Sequence, residues 1–209
     1  MKKLFTLLMV AMMFAFSACN SCNKQVEKEQ TIEDILTADY DYMVENYDTT
    51  FVWYEVEFIL NDYLDSEECD GTVKEFTNIF QVVTPIDSTT YDVNVIKMIH
   101  KGEISSIETE QGFWCEDEPM IKDHMQVTYN DAYQRMTESN YPKPHANTCT
   151  LRRELGPKIA NSQYIFGNVT GQIYVDAVTG DVSDHSPAFD KVECEDAENL
   201  EEIVEEVAE

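Results

Sequence analysis

Apolar residues recur at helical spacing in two segments of the chain. The first begins at the capping-box-like pair Thr31 and Asp34 and runs to about residue 47. Its apolar positions are Ile32, Ile35, Leu36, Tyr40, Met43 and Tyr47. The second follows Thr128, with Asp131 at the capping-box position, and it ends before Pro142 and Pro144. Its apolar positions are Tyr129, Ala132, Tyr133 and Met136. The pattern predicts one amphipathic helix in each half.

The segment from Phe51 to Leu60 alternates between two faces, which predicts a half-buried strand. Val52, Tyr54, Val56, Phe58 and Leu60 should share one face, with Glu55 and Glu57 on the other. Further strands are expected over 73–84, 90–100 and 103–114, with a tight turn at Lys101-Gly102, and near 147–155, 161–168 and 171–178. The expected fold class is α+β, with helices packed on an antiparallel sheet.

The segment from Gly171 to Val182 carries the clearest local pattern. Ile173 and Val175 should point toward the helix, under Tyr133 and Met136, while Tyr174 and Asp176 should point outward. Gly180 should supply a positive φ in a two- or three-residue hairpin connection.

Asp131-Ala132-Tyr133 on a helix, followed by strands and the closing Tyr174-Val175-Asp176-Ala177-x-Thr179-Gly180-Asp181-Val182, resembles the PepSY domain family, including PepSY-like lipoproteins of Bacteroidota. The resemblance implies a helix on an antiparallel sheet, in two tandem copies similar to the β-lactamase-inhibitor-protein architecture. Residues 121–192 form the better-matched module, and residues 31–120 form a first module that lacks the Asp-x-x-Thr-Gly ending. The family supplies no catalytic residues. It implies an interaction module of the periplasm or cell surface, in some members linked to protease inhibition.

The N-terminus predicts export and lipid anchoring. Two lysines precede an apolar stretch from Leu4 to Phe16, which is typical of a signal peptide over residues 1–18. Phe16-Ser17-Ala18-Cys19 resembles the bacterial lipobox, which implies acylation of Cys19, and residues 19–30 then form a tether. Asn20 in place of Asp favours the outer membrane. The alternative is simple secretion, with Cys19 left as a thiol.

The charge of the chain excludes one class of partner. Forty-one acidic residues against 14 Lys and Arg give a net charge of −27, which repels phosphate backbones and rules out nucleic-acid binding. Residues 193–209 hold nine acidic residues and no basic one, so they are expected to form a solvated acidic tail.

Four cysteines remain in the folded region: Cys69, Cys115, Cys149 and Cys194. An even number in an exported chain predicts disulfides among them, with three connectivities open. The alternative is four reduced thiols. Cys115, with His124 or His145 as base, is a poor nucleophile because Glu116, Asp117 and Glu118 would raise its pKa. We therefore expect no enzymatic activity and no cofactor.

Metal and docking sites have weaker sequence signals. His145, Cys149, His124 and Asp123 lack the second close pair that zinc sites usually show, so no metal is assigned. The acidic loop of Asp62, Asp65, Glu67, Asp70 and Gly71 lacks the order of a calcium loop but leaves weak calcium association open. A basic run of Lys143, His145, Arg152, Arg153 and Lys158 contains one acid, Glu154. It indicates either a docking patch for an acidic partner or internal charge compensation.

Two functions remain open after these exclusions. The first is a membrane-anchored, non-enzymatic module that binds a protein or peptide on a sheet face or edge and that is inhibitor-like in the sense of its family. The alternative is an envelope accessory protein that binds calcium or a small ligand through its acidic loops.

Overall fold

The computed structural model describes residues 30–47, 51–87, 89–112 and 117–190. The described residues from Thr31 to Asp190 belong to one compact unit. The predicted signal peptide, Cys19, Cys115, Cys194 and the acidic tail lie outside the described residues. Within the described part, neither helix has the length and apolar composition needed to cross a membrane.

Two α-helices, nine strands and two short 3₁₀-helices, Lys122–His124 and Pro187–Phe189, make up the described fold. The α-helices are α1 (Ile32–Tyr47) and α2 (Tyr129–Glu138). The strands are β1 (Phe51–Leu60), β2 (Val73–Pro85), β3 (Tyr91–Lys101), β4 (Ile104–Gln111), β5 (Asp117–Glu118), β6 (Thr148–Glu154), β7 (Gln163–Asn168), β8 (Gly171–Asp176) and β9 (Val182–Ser183). The predicted helices and long strands are confirmed to within a few residues. The acidic segment between β1 and β2 is a loop, as expected.

All neighbouring strands run antiparallel, in the order β4-β3-β2-β1-β6-β7-β8-β9, and the short β5 pairs with the end of β6. Each half of the sheet is a meander that follows its own helix. The halves meet where β1 pairs with β6, from Glu55 opposite Arg152 to Ile59 opposite Thr148. The expected α+β class with helices on an antiparallel sheet is confirmed.

Both helices begin at the predicted caps. The backbone N–H of Asp34 donates to Thr31 Oγ1 and that of Thr31 donates to Asp34 Oδ2, each at 3.1 Å, which is a complete capping box. The N–H of Asp131 donates to Thr128 Oγ1 at 3.1 Å. These bonds satisfy N–H groups that a helix start otherwise leaves without partners.

One face of the sheet carries the core beneath the helices. Phe58, Cys149 and Phe166 lie opposite one another on β1, β6 and β7 and are all buried. Ile173 and Val175 are buried in the same cluster as Met136, so the predicted orientation of these two β8 residues is confirmed. Gly180 has a φ of 77°, as expected.

Two details of the sequence-based prediction are wrong, and the burial of a third residue was not predicted. The pairing of β1 with β2 shifts between Trp53 and Glu55, so a β-bulge at Tyr54 turns Trp53 toward the core and away from the predicted phase. Tyr174 does lie on the face away from the helices, as predicted, but it is only 6% exposed there. The connection from β8 to β9 spans residues 177–181, longer than a tight hairpin.

Candidate functional site

Strand β4 forms one edge of the sheet. Among the described strands it pairs only with β3, and all eight of its residues are exposed. The opposite edge is β9, which has only two residues. Strand β4 is therefore the longer open edge, and an open edge is a template for pairing with another extended chain.

The register of β3 and β4 fixes which backbone groups are open. The N–H of Gly112 donates to the C=O of Val93 at 3.1 Å. Gly112 and Val93 are therefore a hydrogen-bonded residue pair of the antiparallel ladder. Hydrogen-bonded and non-hydrogen-bonded pairs alternate along the ladder. The residues whose N–H and C=O groups turn away from β3 are therefore Ser105, Ile107, Thr109 and Gln111.

The side chains of β4 combine apolar and acidic character. Ile104 is 70% exposed and Ile107 is 50% exposed. Glu108 and Glu110 point to the face away from the helices, and Glu110 pairs with Lys97 on β3 at 2.6 Å. A partner strand would meet apolar contacts together with negative charge.

A chain of hydrogen bonds leads from the core to this edge. Trp53 Nε1 donates to Asn78 Oδ1 at 2.5 Å, and Asn78 Nδ2 donates to Asp39 Oδ2 at 3.2 Å. His100 Nε2 lies 2.8 Å from the same carboxylate oxygen, and His100 Nδ1 lies 3.0 Å from Ser105 Oγ. The His100 ring also stacks on Phe76.

The Asp39 carboxylate fixes the tautomer of His100. A carboxylate only accepts, so Nε2 carries the proton and, in the neutral imidazole, Nδ1 accepts from the Ser105 hydroxyl. An aspartate, a histidine and a serine joined in this order also make up a hydrolase triad. In a hydrolase triad, however, the serine bonds Nε2 of the histidine and the aspartate bonds Nδ1. Here the chain joins α1 to the edge strand and holds the Ser105 side chain on the helix-facing side of β4.

This polar chain has no sequence motif, and sequence reasoning missed it. The positions of these polar residues within their helix and strands could have revealed the chain. Asp39 follows Leu36 by three residues and precedes Met43 by four, so it lies on the buried stripe of α1. Asn78 and His100 likewise occupy core-facing positions of their strands. A polar residue on the otherwise apolar, buried side of an element needs a hydrogen-bond partner.

The basic run does not form one exposed patch. Arg152 Nη2 lies 2.8 Å from Glu154 Oε1, and Arg152 Nη1 lies 3.7 Å from Glu55 Oε2. Arg153 donates to the carbonyl oxygen of Ala160 at 2.9 Å. Of the other members, Lys158 pairs with Asp190 at 3.4 Å, His145 pairs with Asp65 at 3.0 Å, and Lys143 is exposed. These contacts favour the internal compensation that the sequence left open.

Two of the four cysteines can be placed. Cys69 and Cys149 are free cysteines, and burial raises the pKa of the Cys149 thiol. Tyr133 O–H donates to the carbonyl oxygen of Cys69 at 2.8 Å, which joins α2 to the acidic loop. With Cys115 and Cys194 outside the described residues, the predicted disulfides stay a prediction.

The acidic loop uses its carboxylates locally. Asp65 pairs with His145, and Asp70 Oδ1 accepts the Thr72 N–H at 2.8 Å. The Thr72 side chain, together with this N–H, lowers the pKa of Asp70. Across residues 30–47, 51–87, 89–112 and 117–190, no three His, Cys, Asp or Glu side chains are grouped to hold a metal ion.

No protein-family model, curated protein or solved structure matches the chain.

Proposed function

We propose that this protein is a non-enzymatic, membrane-anchored interaction module that binds an extended peptide segment along the open edge of β4. The observation that carries the proposal is the eight-residue strand, exposed along its whole length and paired on one side only within the described sheet. Such a strand offers main-chain hydrogen bonds for affinity, while alternate side chains supply specificity.

The order of the strands supports the tandem PepSY-like interpretation. Each half consists of a helix and a four-stranded meander, and the first strands of the two meanders pair at the centre. This arrangement is what two copies of one module would produce. It places β4 and β9 at equivalent outer positions, and only β4 is long enough for a partner strand.

The favoured partner is basic. The net charge of −27 attracts cationic segments, and Glu108 lies on the edge strand itself. A peptide that alternates apolar and basic residues would place the apolar side chains against Ile107 and the basic ones against Glu108. Charge would then raise the association rate, and the backbone ladder would set the orientation.

The experiment uses a proline substitution that removes one outward N–H. Thr109 turns its N–H away from β3, so Thr109→Pro leaves the β3–β4 ladder intact, whereas Glu108→Pro breaks it. Extended peptides are selected on the chain from a random display library, and their affinities are measured by calorimetry. We expect Thr109→Val to bind like the parent chain and Thr109→Pro to lose at least tenfold in affinity. Equal binding by Thr109→Pro, in a protein with unchanged circular dichroism, would refute edge pairing.

Membrane anchoring rests on the lipobox-like run at Phe16-Ser17-Ala18-Cys19. In cells fed a labelled palmitate, the label should enter the parent chain and Cys22→Ala, and Cys19→Ala should remain unlabelled. Loss of label in Cys22→Ala alone would move the acylated residue to Cys22. Retention of the label in both variants would remove the support for a lipid anchor at either cysteine.

A further inference from the structure

A cavity of about 320 Å³ lies between the first turns of α1 and the segment that leads into α2. Its floor is formed by Trp53 on β1 and Tyr164 on β7, both buried, and Leu36 and Val127 add apolar walls. This volume is within the range of small-molecule sites, roughly 300–1,000 Å³. The cavity is lined by none of the β4 residues, so it is separate from the open edge.

The polar groups of the two aromatic side chains in the floor are already hydrogen-bonded within the protein. The indole N–H of Trp53 is already donated to Asn78, and the Tyr164 hydroxyl donates to Val127 C=O at 3.1 Å. A ligand in the cavity would therefore meet the apolar faces and edges of these rings. Such surfaces favour a flat apolar body, and their negative π-faces also attract cations.

Two carboxylates supply the negative charge of the lining. Glu33 Oε1 accepts the Tyr129 N–H at 2.9 Å, so this carboxylate is fixed at the start of α2. Asp123 lines the same cavity. Burial, followed by the negative charge of Glu33, raises the pKa of the Tyr164 hydroxyl.

The one cation of the lining is already paired. Lys122 Nζ lies 2.9 Å from Asp41 Oδ1 and 4.6 Å from the centre of the Tyr40 ring. Its positive charge is neutralised by a carboxylate that does not line the cavity. The cavity thus combines an aromatic floor with a net negative rim.

We propose that this cavity binds a small organic amine with an aromatic body, an arylalkylamine, with its ring on Trp53 and Tyr164 and its ammonium group at the rim formed by Glu33 and Asp123. The cavity has the size of a single small molecule. A carboxylate of the same shape would meet like charges and be rejected. This site makes no use of the edge strand, so its success or failure is independent of peptide binding at β4.

The test reads binding through the tryptophan in the cavity floor. The chain has two tryptophans, so Trp114→Phe leaves Trp53 as the sole tryptophan fluorophore. Phenethylamine is titrated at 0.15 M salt, on the order of physiological ionic strength, with 3-phenylpropionate as the matched anionic ligand. We expect a saturable change in Trp53 emission with the amine and none with the carboxylate.

Three further variants assign the binding to the cavity. Glu33→Gln keeps an oxygen acceptor for the Tyr129 N–H but removes the charge, and we expect it to weaken the amine about tenfold. Glu45→Gln lies on the same helix outside the cavity and should leave the affinity unchanged. Thr37→Phe fills the cavity from an exposed position and should abolish the change in emission.

Three results would overturn the proposal. The first is an equal response to the amine and the carboxylate, which would indicate an apolar cavity without charge selectivity. The second is equal weakening by Glu33→Gln and Glu45→Gln, which would indicate general attraction to an acidic surface. The third is the absence of saturable binding by the parent chain.

Discussion

The turn after β8 allows a sharp test of the fold, because Gly180 has two separate reasons to be glycine. Its φ is 77°, and a Cβ added there would lie 2.5 Å from Arg135 Cζ on α2. Gly102, in the turn between β3 and β4, has a φ of 58° and no atom within 4 Å of an added Cβ. Gly102→Ala thus measures the backbone cost alone, and Gly180→Ala measures that cost together with displacement of Arg135.

The magnitudes follow from these contacts. Left-handed backbone costs a non-glycine residue about 1–2 kcal/mol. Arg135 Nη1 donates to Gly180 C=O at 3.2 Å, and the loss of this bond adds about 1 kcal/mol. We expect Gly102→Ala to lower the free energy of unfolding by about 1–2 kcal/mol and Gly180→Ala by about 2–3 kcal/mol.

Urea denaturation of a double-mutant cycle separates the two effects. In an Arg135→Ala background the flexible side chain is gone, so Gly180→Ala should cost only as much as Gly102→Ala. If Gly180→Ala is neutral, the turn does not have a positive φ. If its excess cost persists without Arg135, the contact with α2 is not the cause, and the packing of this turn on the helix is wrong.

Three other substitutions test the core and its buried charges. Tyr174→Ala should cost about 3 kcal/mol in urea denaturation, as much as Val175→Ala, because both side chains are buried; a cost below 1 kcal/mol for Tyr174→Ala would contradict its burial. Burial raises the pKa of Asp176, but bonds from the Thr179 and Val178 N–H groups and two side-chain amides outweigh it and hold that pKa below its usual value. The resulting stability is present above the pKa of unfolded aspartate and is lost as the pH falls through the lower pKa of the folded state. Asp176→Asn should therefore reduce the loss of stability at acid pH. An unchanged loss of stability at acid pH would contradict this prediction. His100→Ala should cost about 3 kcal/mol by leaving the Asp39 carboxylate with one partner fewer, and adding Asp39→Leu should recover part of the loss; no recovery would mean that the pair is not coupled.

The helices and most strands could be predicted because their patterns are local. The apolar stripe of α1, its capping box and the alternation in β1 all depend on residues within a few positions of one another. The same applies to the orientation of Ile173 and Val175 and to the positive φ of Gly180. Each of these features is set by backbone geometry and by which side of a helix or strand is apolar and becomes buried.

The bulge in β1 and the burial of Tyr174 could not be read from such patterns. The phase of β1 changes at Tyr54 because β2 and β6 impose their own registers on the strand. Tyr174 is buried on a face that single-strand alternation assigns to solvent, and Ile165, opposite it on β7, is buried there too. Both features arise from pairing between strands distant in sequence.

The candidate sites were hidden for the same reason. Nothing in the sequence of residues 104–111 reveals that β4 lies at the edge of the sheet, because strand order is a property of the whole fold. The cavity is formed by α1, β1, β7 and the 122–128 segment, which are distant in sequence and meet only in the folded chain. The basic run, by contrast, was visible in the sequence, but its charges are mostly compensated inside the fold.

The central pairing of β1 and β6 also has a consequence for how the chain is made. The paired residues are 89 to 97 positions apart, whereas every other ladder of the described residues connects strands that follow one another directly. During synthesis the first meander is complete while one side of β1 still lacks its partner, and that strand carries Val56, Phe58 and Leu60. A nascent chain at this stage exposes an apolar edge in what will become the middle of the sheet, which is a template for aggregation. We expect the slow step of folding to be the arrival of β6, and a chain truncated near residue 120 to depend on a chaperone for its solubility.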